Sequence, residues 1–205
     1  MYEQSNLIAH RAGGKQKCGL LAEKIGHALF ASTMTRSGGF AVVDTASSES
    51  ITLLLSDALM FVGGASASTA GGIKVTTLAV LLLAIVAEAK GTKAVAVAGR
   101  TIPEGLLRVA ISVTFLGATL VLVATGLVML TTDAPLDRIL FEVISAFATC
   151  GLSVGLSAEL DPFAKYVLAA LMLAGRIGPI GLAAALAVRQ RSVLYSYPEE
   201  RPVIG

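Results

Sequence analysis

A short polar turn, residues 145–153 with the sequence SAFATCGLS, lies between two long apolar runs of this chain. The runs cover residues 109–130 and 164–188, and each reaches the roughly 20 residues that a helix needs to cross a bilayer. Irregular backbone at membrane depth is tolerated only inside protein or beside water, because lipid cannot satisfy its polar groups. The pattern therefore predicts a loop that enters the membrane and returns, with its backbone carbonyls facing a water-filled path.

The composition of the chain agrees with a membrane setting. Of its 205 residues, 55% are hydrophobic and 15% are charged, and the mean hydropathy is +0.77. Soluble domains are about 45–50% apolar and about 25% charged. The net charge of +2 comes with dispersed basic residues, which favours no nucleic-acid partner. Cys18 and Cys150 give no metal-ligand spacing and no disulfide framework. We therefore predict an integral membrane protein embedded in the lipid bilayer.

A second irregular stretch, which we call the glycine-serine break, covers residues 63–72 with the sequence GGASASTAGG. Apolar residues precede it at 51–62 and follow it at 75–87, and each piece is about half the length of a spanning helix. Glycine costs a helix about 1 kcal/mol per residue relative to alanine, so the helix is expected to stop here. The pattern predicts one broken transmembrane helix of the kind that marks a permeation or binding site.

Two glycine turns each follow a short helical pattern. The first glycine turn, residues 35–40, has the sequence TRSGGF, and the second, residues 149–153, has the sequence TCGLS. Shifting the chain by 112 residues places Gly39 on Gly151, with the same order of elements around both turns. The chain therefore predicts two helix–pore loop–helix units, which need pseudo-fourfold closure with further units to enclose a path.

The predicted fold is an all-α integral membrane protein built from these two units. The first unit is expected to lack its leading transmembrane helix, and the last helix to be interrupted at Arg176, Gly178 and Pro179. The predicted segments are a first unit at 1–90 (pore helix 20–34, turn 35–40, broken helix 51–87), a link at 91–108, a second unit at 109–188 (helix 109–130, pore helix 136–148, turn 149–153, helix 164–188) and a tail at 189–205.

The charges of the loops predict the orientation. Basic residues dominate residues 88–108 and the tail 189–205, whereas residues 131–161 are mainly acidic. By the positive-inside rule, the link and the C-terminal tail are cytoplasmic, and both glycine turns open from the outer side. The basic N-terminal segment would then lie outside, so we expect a further transmembrane helix upstream of Met1.

These motifs together resemble the Trk/Ktr/HKT superfamily of potassium and sodium uptake proteins. The resemblance covers nearly the whole chain, from about residue 3 to residue 205, and matches the C-terminal half of a family member, its third and fourth pore-loop repeats. Residues 36–40 resemble the third selectivity filter, whose usual form Arg-Thr-Ala-Gly-Phe differs at two positions. Residues 60–74 resemble the broken helix whose loop gates the pore. Residues 141–153 resemble the fourth filter, and residues 175–179 (GRIGP) the last helix with its inward-facing arginine. The first two repeats of the family are absent from this sequence.

The resemblance implies uptake of a monovalent cation, with potassium expected and sodium as the alternative, and it implies no enzyme. The ion would be held by backbone carbonyls of the filter. The implied partners are the other two pore-loop repeats, a second copy in a homodimer and a cytoplasmic nucleotide-binding regulatory subunit; the implied location is the inner, or plasma, membrane, crossed several times. The candidate residues are Ser37, Gly38, Gly39, Phe40, Thr149, Cys150, Gly151 and Leu152 for the filter, Gly63, Gly64, Ser66, Ser68, Thr69, Gly71 and Gly72 for the gate, and Lys74 and Arg176 as pore-side charges.

Two stretches of the chain also resemble enzyme motifs. Residues 151–155 (GLSVG) match a nucleophile elbow, but that fold needs a histidine after its serine, and both histidines of the chain precede it. Residues 63–74 lack the G-K-[ST] ending of a phosphate-binding loop. A truncated, non-conducting membrane subunit remains the alternative from another functional class.

Single residues also have structural alternatives. Arg176 is costly within an apolar helix unless it faces water or is paired, for which Glu142 is the candidate. Lys74 either lines an inner vestibule or extends to the cytoplasmic surface. Asp57 is expected to satisfy a neighbouring helix, and Cys150 to contribute only its carbonyl. Structural roles alone are expected for Cys18 and His27.

Overall fold

The computed structural model describes residues 17–41, 45–65, 70–91, 96–97 and 100–188. Helices dominate these described residues, with a 3-10 turn at Thr45–Ser47. The helices are α1 (Lys17–Met34), α2 (Ser50–Val62), α3 (Val75–Ala89), α4 (Glu104–Met129), α5 (Leu136–Ala148), α6 (Leu156–Glu159) and α7 (Pro162–Val188).

The link between α3 and α4 contains the β structure of the described residues. Two-residue strands β1 (Ala96–Val97) and β2 (Arg100–Thr101) pair antiparallel, with Ala96 opposite Thr101. The sequence predicted a polar link without strands. Because this ladder is so short, the described part of the chain remains a helical fold, consistent with the predicted all-α membrane transporter.

Helix α5 lies at the centre of the structure. It packs against α2, α4 and α7, and every residue from 141 to 148 is buried. Phe141 and Val143 share one hydrophobic cluster with Met60 of α2 and Leu171 of α7. The buried part includes the polar side chains of Glu142 and Ser145, which need hydrogen-bond partners that protein supplies and lipid does not. This position explains how a helix of 13 residues, too short to cross a bilayer, is held within the protein.

Helices α2 and α5 begin side by side. The Ser50 hydroxyl donates a 2.6 Å hydrogen bond to Asp137 Oδ2 in the first turn of α5. This hydrogen bond is the main cause that lowers the pKa of Asp137 below its ordinary value. A carboxylate at the amino end of a helix is also favoured by the helix dipole. The contact fixes the starting level of the central helix relative to α2.

The long helices differ from the sequence prediction in two respects. Helix α4 begins at Glu104, behind a Pro103 cap, and not at residue 109. Helix α7 runs without a break from Pro162 to Val188, so the predicted interruption at Arg176, Gly178 and Pro179 is wrong. Within the described residues, one helix, Gly105–Met129, has both the length and the apolar composition to cross a membrane. Helices α2 and α3 are apolar but shorter.

Candidate functional site

The two glycine turns adopt the same backbone pattern. In the first turn, φ is 74° at Ser37 and 69° at Gly39; in the second, φ is 53° at Thr149 and 84° at Gly151. The positions correspond under the 112-residue shift found in the sequence. Positive φ is uncommon for residues other than glycine, and among the described residues Ser37 and Thr149 are the two non-glycine cases. The two turns are therefore alike in conformation as well as in order of elements.

The two glycine turns also touch each other. A Cβ added to Gly39 would lie 2.7 Å from the Cys150 carbonyl oxygen, and one added to Gly151 would lie 3.7 Å from Gly39 Cα. The Cys150 thiol donates a 2.8 Å hydrogen bond to the Thr35 carbonyl. The Cys150 side chain therefore takes part in the contact between the turns, which differs from the expectation that Cys150 contributes only its carbonyl. The first glycine turn packs directly on the second, and only glycine leaves room for this approach at position 39.

Helix α5 fixes the second glycine turn through polar side chains. The Ser145 hydroxyl donates a 2.6 Å bond to the Leu152 carbonyl. The buried Glu142 carboxylate accepts a 2.5 Å bond from the Ser153 hydroxyl and a 3.1 Å bond from the Val154 amide. Glu142 thus holds the segment that leaves the turn, which differs from the suggested pairing with Arg176. Ser153, the serine of the motif that resembles a nucleophile elbow, therefore donates its hydroxyl hydrogen to the structural carboxylate of Glu142.

Three candidate residues border one open cavity. Thr149, Gly151 and Arg176 line a space of about 640 Å³, together with four apolar residues of α7. Arg176 is exposed on the described structure. The structure therefore brings the second glycine turn and the arginine of the last helix to the same exposed surface of the described residues. A smaller cavity, of about 220 Å³, lies between α1, α2 and the glycine turns, and Phe40 and Leu152 are among the residues that line it.

The glycine-serine break is described at residues 63–65 and 70–72, while Ser66, Ser68 and Thr69 lie outside the described residues. Helix α2 ends at Val62, and Gly63 takes a positive φ of 63°. The segment then returns to the protein interior, with Ala70 5% exposed and the following Ile73 1% exposed. The Lys74 ammonium donates a 2.5 Å bond to the Ala70 carbonyl. Lys74 therefore binds back to the break that it follows.

The end of the glycine-serine break packs on the second glycine turn and on α7. The Gly71 amide donates a 3.0 Å bond to Thr149 Oγ1, and the Gly72 amide donates a 3.2 Å bond to the Gly175 carbonyl. A Cβ added to Gly71 would lie 2.8 Å from Thr149 Oγ1. The candidate gate and the candidate filter are thus in direct contact.

Asp57 of α2 departs from its expected role. The side chain is 3% exposed, yet its Oδ1 has no hydrogen-bond partner among the described residues. The expectation that Asp57 satisfies a neighbouring helix is therefore wrong for this oxygen. Asp57 borders a mainly apolar groove formed by α2, α4 and α5. Within the described part of the chain, none of the filter or gate candidates lines this groove.

Sequence reasoning missed several residues that position the site. The Thr35 carbonyl and the Glu142 carboxylate acquire their roles from partners distant in the chain or across a turn, and no local pattern indicates these pairs. The Gly175 carbonyl did have a signal. Pro179 lies four residues after Gly175 and has no N–H, so it cannot donate the usual helical hydrogen bond to the Gly175 carbonyl.

Comparison with known proteins places the chain in a family. The family model TrkH, described as a cation transport protein, matches residues 19–194. The Ktr system potassium uptake protein D of Bacillus subtilis is 41% identical over 177 residues, which are 86% of this chain and 39% of the relative. The Ktr system potassium uptake protein B of Vibrio alginolyticus is 39% identical over 178 residues, 87% of this chain and 39% of the relative.

A third relative extends the match. The potassium/sodium uptake protein NtpJ of Enterococcus hirae is 35% identical over 205 residues, 97% of this chain and 46% of the relative. The chain thus spans less than half the length of each of these relatives. The match confirms the predicted transporter family and excludes the enzyme interpretations. The chain belongs to the TrkH family of cation transport proteins.

Proposed function

We propose that this chain forms two of the four pore-loop units of a pathway through which monovalent cations, chiefly potassium, enter the cell. The observation that carries the proposal is the contact between two glycine turns of matching backbone conformation, at Gly39 and Gly151. Each turn follows the carboxyl end of a short helix, α1 or α5. Paired turns of this kind are the units from which a filter is closed around an axis.

The filter acts through its backbone. Carbonyls of residues 37–40 and 149–151 replace the hydration shell of the cation, as in other filters lined by carbonyls, whereas the Leu152 carbonyl already accepts the Ser145 hydroxyl. The carboxyl ends of α1 and α5 add the negative end of each helix dipole. The second turn has a rigid base, because Ser145 and Glu142 bind the residues at its C-terminal end. A rigid base keeps the spacing between carbonyls constant while ions pass.

The glycine-serine break is the gate in this proposal, and α2 and α3 are the two halves of one broken helix. The buried end of the break, at Gly71, lies against Thr149 of the proposed filter. Arg176 and Lys74 are the pore-side charges. Arg176 borders the same cavity as the filter residues Thr149 and Gly151. Its positive charge repels cations there and so lowers the time that an ion stays bound in the cavity.

The arrangement in the cell follows from the charge pattern and from family membership. The protein crosses the inner membrane several times, with its C-terminus in the cytoplasm. The two missing units complete the pore, two pores form a homodimer, and a cytoplasmic nucleotide-binding subunit regulates the gate. Names of relatives support potassium as the ion, since two of them are potassium uptake proteins. The name of the third also includes sodium, which keeps sodium as the second candidate ion.

Rubidium uptake tests the proposal in a bacterium that lacks its own potassium uptake. The chain is expressed alone and together with the two upstream units. We expect uptake only from the combination, because two units cannot enclose a path. Gly151→Asp should abolish uptake without lowering expression, since φ is 84° at this position and a side chain would enter the filter. Gly126→Ala is the matched control, because an added Cβ there meets nothing within 4 Å.

The outcomes separate the alternatives. Normal rubidium uptake by Gly151→Asp would refute the filter assignment. Uptake by the chain alone would show that it closes a pore by self-association. Absence of uptake from the wild-type combination, with both parts present in the membrane, would favour a non-conducting subunit. Loss of most of the rubidium uptake at an equal concentration of sodium would identify sodium as the preferred ion.

A further inference from the structure

The end of the glycine-serine break is held at two points. The Gly71 amide donates to the Thr149 hydroxyl at 3.0 Å, and the next amide, of Gly72, donates to the Gly175 carbonyl at 3.2 Å. Both glycines are buried, so neither amide can exchange its partner for bulk water without movement of the segment. The two acceptors lie on different elements, the second glycine turn and α7.

The Gly175 acceptor exists because of a proline. In a regular helix, the carbonyl of one residue accepts a hydrogen bond from the amide four residues later. For Gly175 that residue is Pro179, which has no N–H. Helix α7 nevertheless continues through this position. The freed carbonyl is thus available at the point where the Gly72 amide arrives.

The close fit at both points requires glycine. A Cβ on Gly71 would lie 2.8 Å from Thr149 Oγ1, and a Cβ on Gly72 would lie 3.3 Å from Ala148 Cα. Gly175 itself is packed against the Phe147 carbonyl so closely that an added Cβ would overlap it. The backbone of the break therefore packs directly on the backbones of α5 and α7, with almost no side chain between them.

From these contacts we infer that Thr149 and Pro179 create a two-point latch that holds the gate segment against the filter. Thr149 supplies a hydroxyl acceptor, and Pro179 supplies an acceptor by leaving the Gly175 carbonyl free. Release of the gate breaks both hydrogen bonds. Because Thr149 belongs to the second glycine turn, gate release also removes a contact from the filter. The inference rests on the proposed function for its consequence in transport, whereas the latch itself is a property of this chain.

Four variants test the latch. Thr149→Val removes the acceptor and keeps the shape, and Thr149→Ser keeps the hydroxyl as its matched control. Pro179→Ala restores a helical N–H that competes for the Gly175 carbonyl. Gly126→Ala, with nothing within 4 Å of the added Cβ, is the control for a helix substitution. Thermal unfolding of each purified variant shows whether it folds.

The first measurement is hydrogen exchange of the Gly71 and Gly72 amides, by NMR on the full chain in lipid nanodiscs with nitrogen-labelled glycine. We expect Thr149→Val to speed exchange of Gly71, and Pro179→Ala to speed exchange of Gly72, each by about fivefold, the effect of losing one neutral hydrogen bond. Thr149→Ser should exchange at the wild-type rate, and Gly126→Ala should speed exchange of neither amide. Equal exchange in Thr149→Val and Thr149→Ser, or unchanged Gly72 exchange in folded Pro179→Ala, would overturn the latch.

The second measurement is rubidium uptake by the chain together with the upstream units. Both latch variants should raise uptake in the absence of the regulatory subunit, and the double variant should raise it further. Faster exchange without any rubidium uptake, even by the wild type, would uphold the latch and refute the proposed function. Rubidium uptake by the wild type, with unchanged amide exchange in the variants, would uphold the proposed function and refute the latch.

Discussion

The thiol of Cys150 donates a hydrogen bond to the carbonyl of Thr35, across 115 residues of chain. Thr35 is 3% exposed and Cys150 is 4% exposed, so the bond is shielded from water. It joins the two glycine turns by one side chain. A buried bond of this kind fixes the distance between the turns in a way that packing alone does not.

Replacement of Cys150 should therefore affect both stability and ion discrimination. Cys150→Ala removes the donor, and we expect a loss of about 1 kcal/mol in the free energy of unfolding. Cys150→Ser retains a donor and should lose less. Chemical unfolding in detergent measures the first effect, and rubidium uptake in the presence of sodium measures the second. If Ala and Ser variants behave alike in both assays, the hydrogen bond has no role beyond the volume of the sulfur.

Gly39→Ala tests the contact between the turns from the other side. The added Cβ would lie 2.7 Å from the Cys150 carbonyl oxygen, at a φ of 69°. The substitution should therefore strain both turns and lower rubidium uptake at least tenfold while expression stays normal. Gly26→Ala serves as the control on α1, because nothing lies within 4 Å of its added Cβ. Wild-type uptake by Gly39→Ala would show that the turns tolerate separation.

Glu142 is predicted to act as an acceptor and not as a charge. Glu142→Gln keeps an oxygen for the Ser153 hydroxyl and the Val154 amide. Glu142→Leu leaves the buried Val154 amide unpaired, which costs about 1–3 kcal/mol. We expect near-normal uptake from the first variant and a thermally labile protein from the second. Equal loss of uptake in both variants, with normal thermal stability, would instead indicate that the negative charge is required.

The family and the transporter class could be predicted from the sequence, because both depend on local motifs around apolar runs. The start of α4 could not be predicted from hydropathy, since the helix begins at a Pro103–Glu104 signal before its apolar run. Continuity of α7 was also missed. A proline usually breaks a helix, but here the amide of a distant glycine occupies the freed carbonyl.

Contacts that join the site are less accessible from sequence than its elements are. The Thr35–Cys150 and Gly71–Thr149 pairs are separated by 115 and 78 residues, and the residues involved have no local pattern that indicates a partner. The positive φ of Ser37 and Thr149 was equally hidden, because serine and threonine rarely adopt it. Such strained positions are expected where surrounding packing imposes the conformation.

Two glycines in helices provide a matched test of packing. Gly126→Ala in α4 meets nothing within 4 Å, so the better helix propensity of alanine should stabilise the protein by up to about 1 kcal/mol. Gly175→Ala in α7 would overlap the Phe147 carbonyl and should destabilise it by more than that gain. Thermal unfolding of the two variants in the same detergent measures the difference. Similar unfolding temperatures would mean that α5 and α7 separate readily.

Deletion of residues 65–69 tests the gate itself. If the break is the proposed gate, its shortening removes the closed state, so rubidium uptake should rise and depend less on the proposed regulatory subunit. The open state of such an element differs from the closed state by only a few kcal/mol, and a several-fold rise is therefore expected. A break that is only a packing kink would give misfolding or lower uptake. A folded deletion variant with unaltered uptake and regulation would refute the gate.

The central place of α5 has a consequence for biosynthesis. Its neighbours α2 and α4 precede it in the chain, but α7 follows it. The surroundings of Phe147 and Ala148 are therefore incomplete when α5 leaves the ribosome, because α7 emerges after it. A helix of 13 residues cannot wait in the bilayer as a spanning segment. Helices α2 and α4 are thus in place before α5, and the core of this protein is completed only when α7, the last helix, packs against α5.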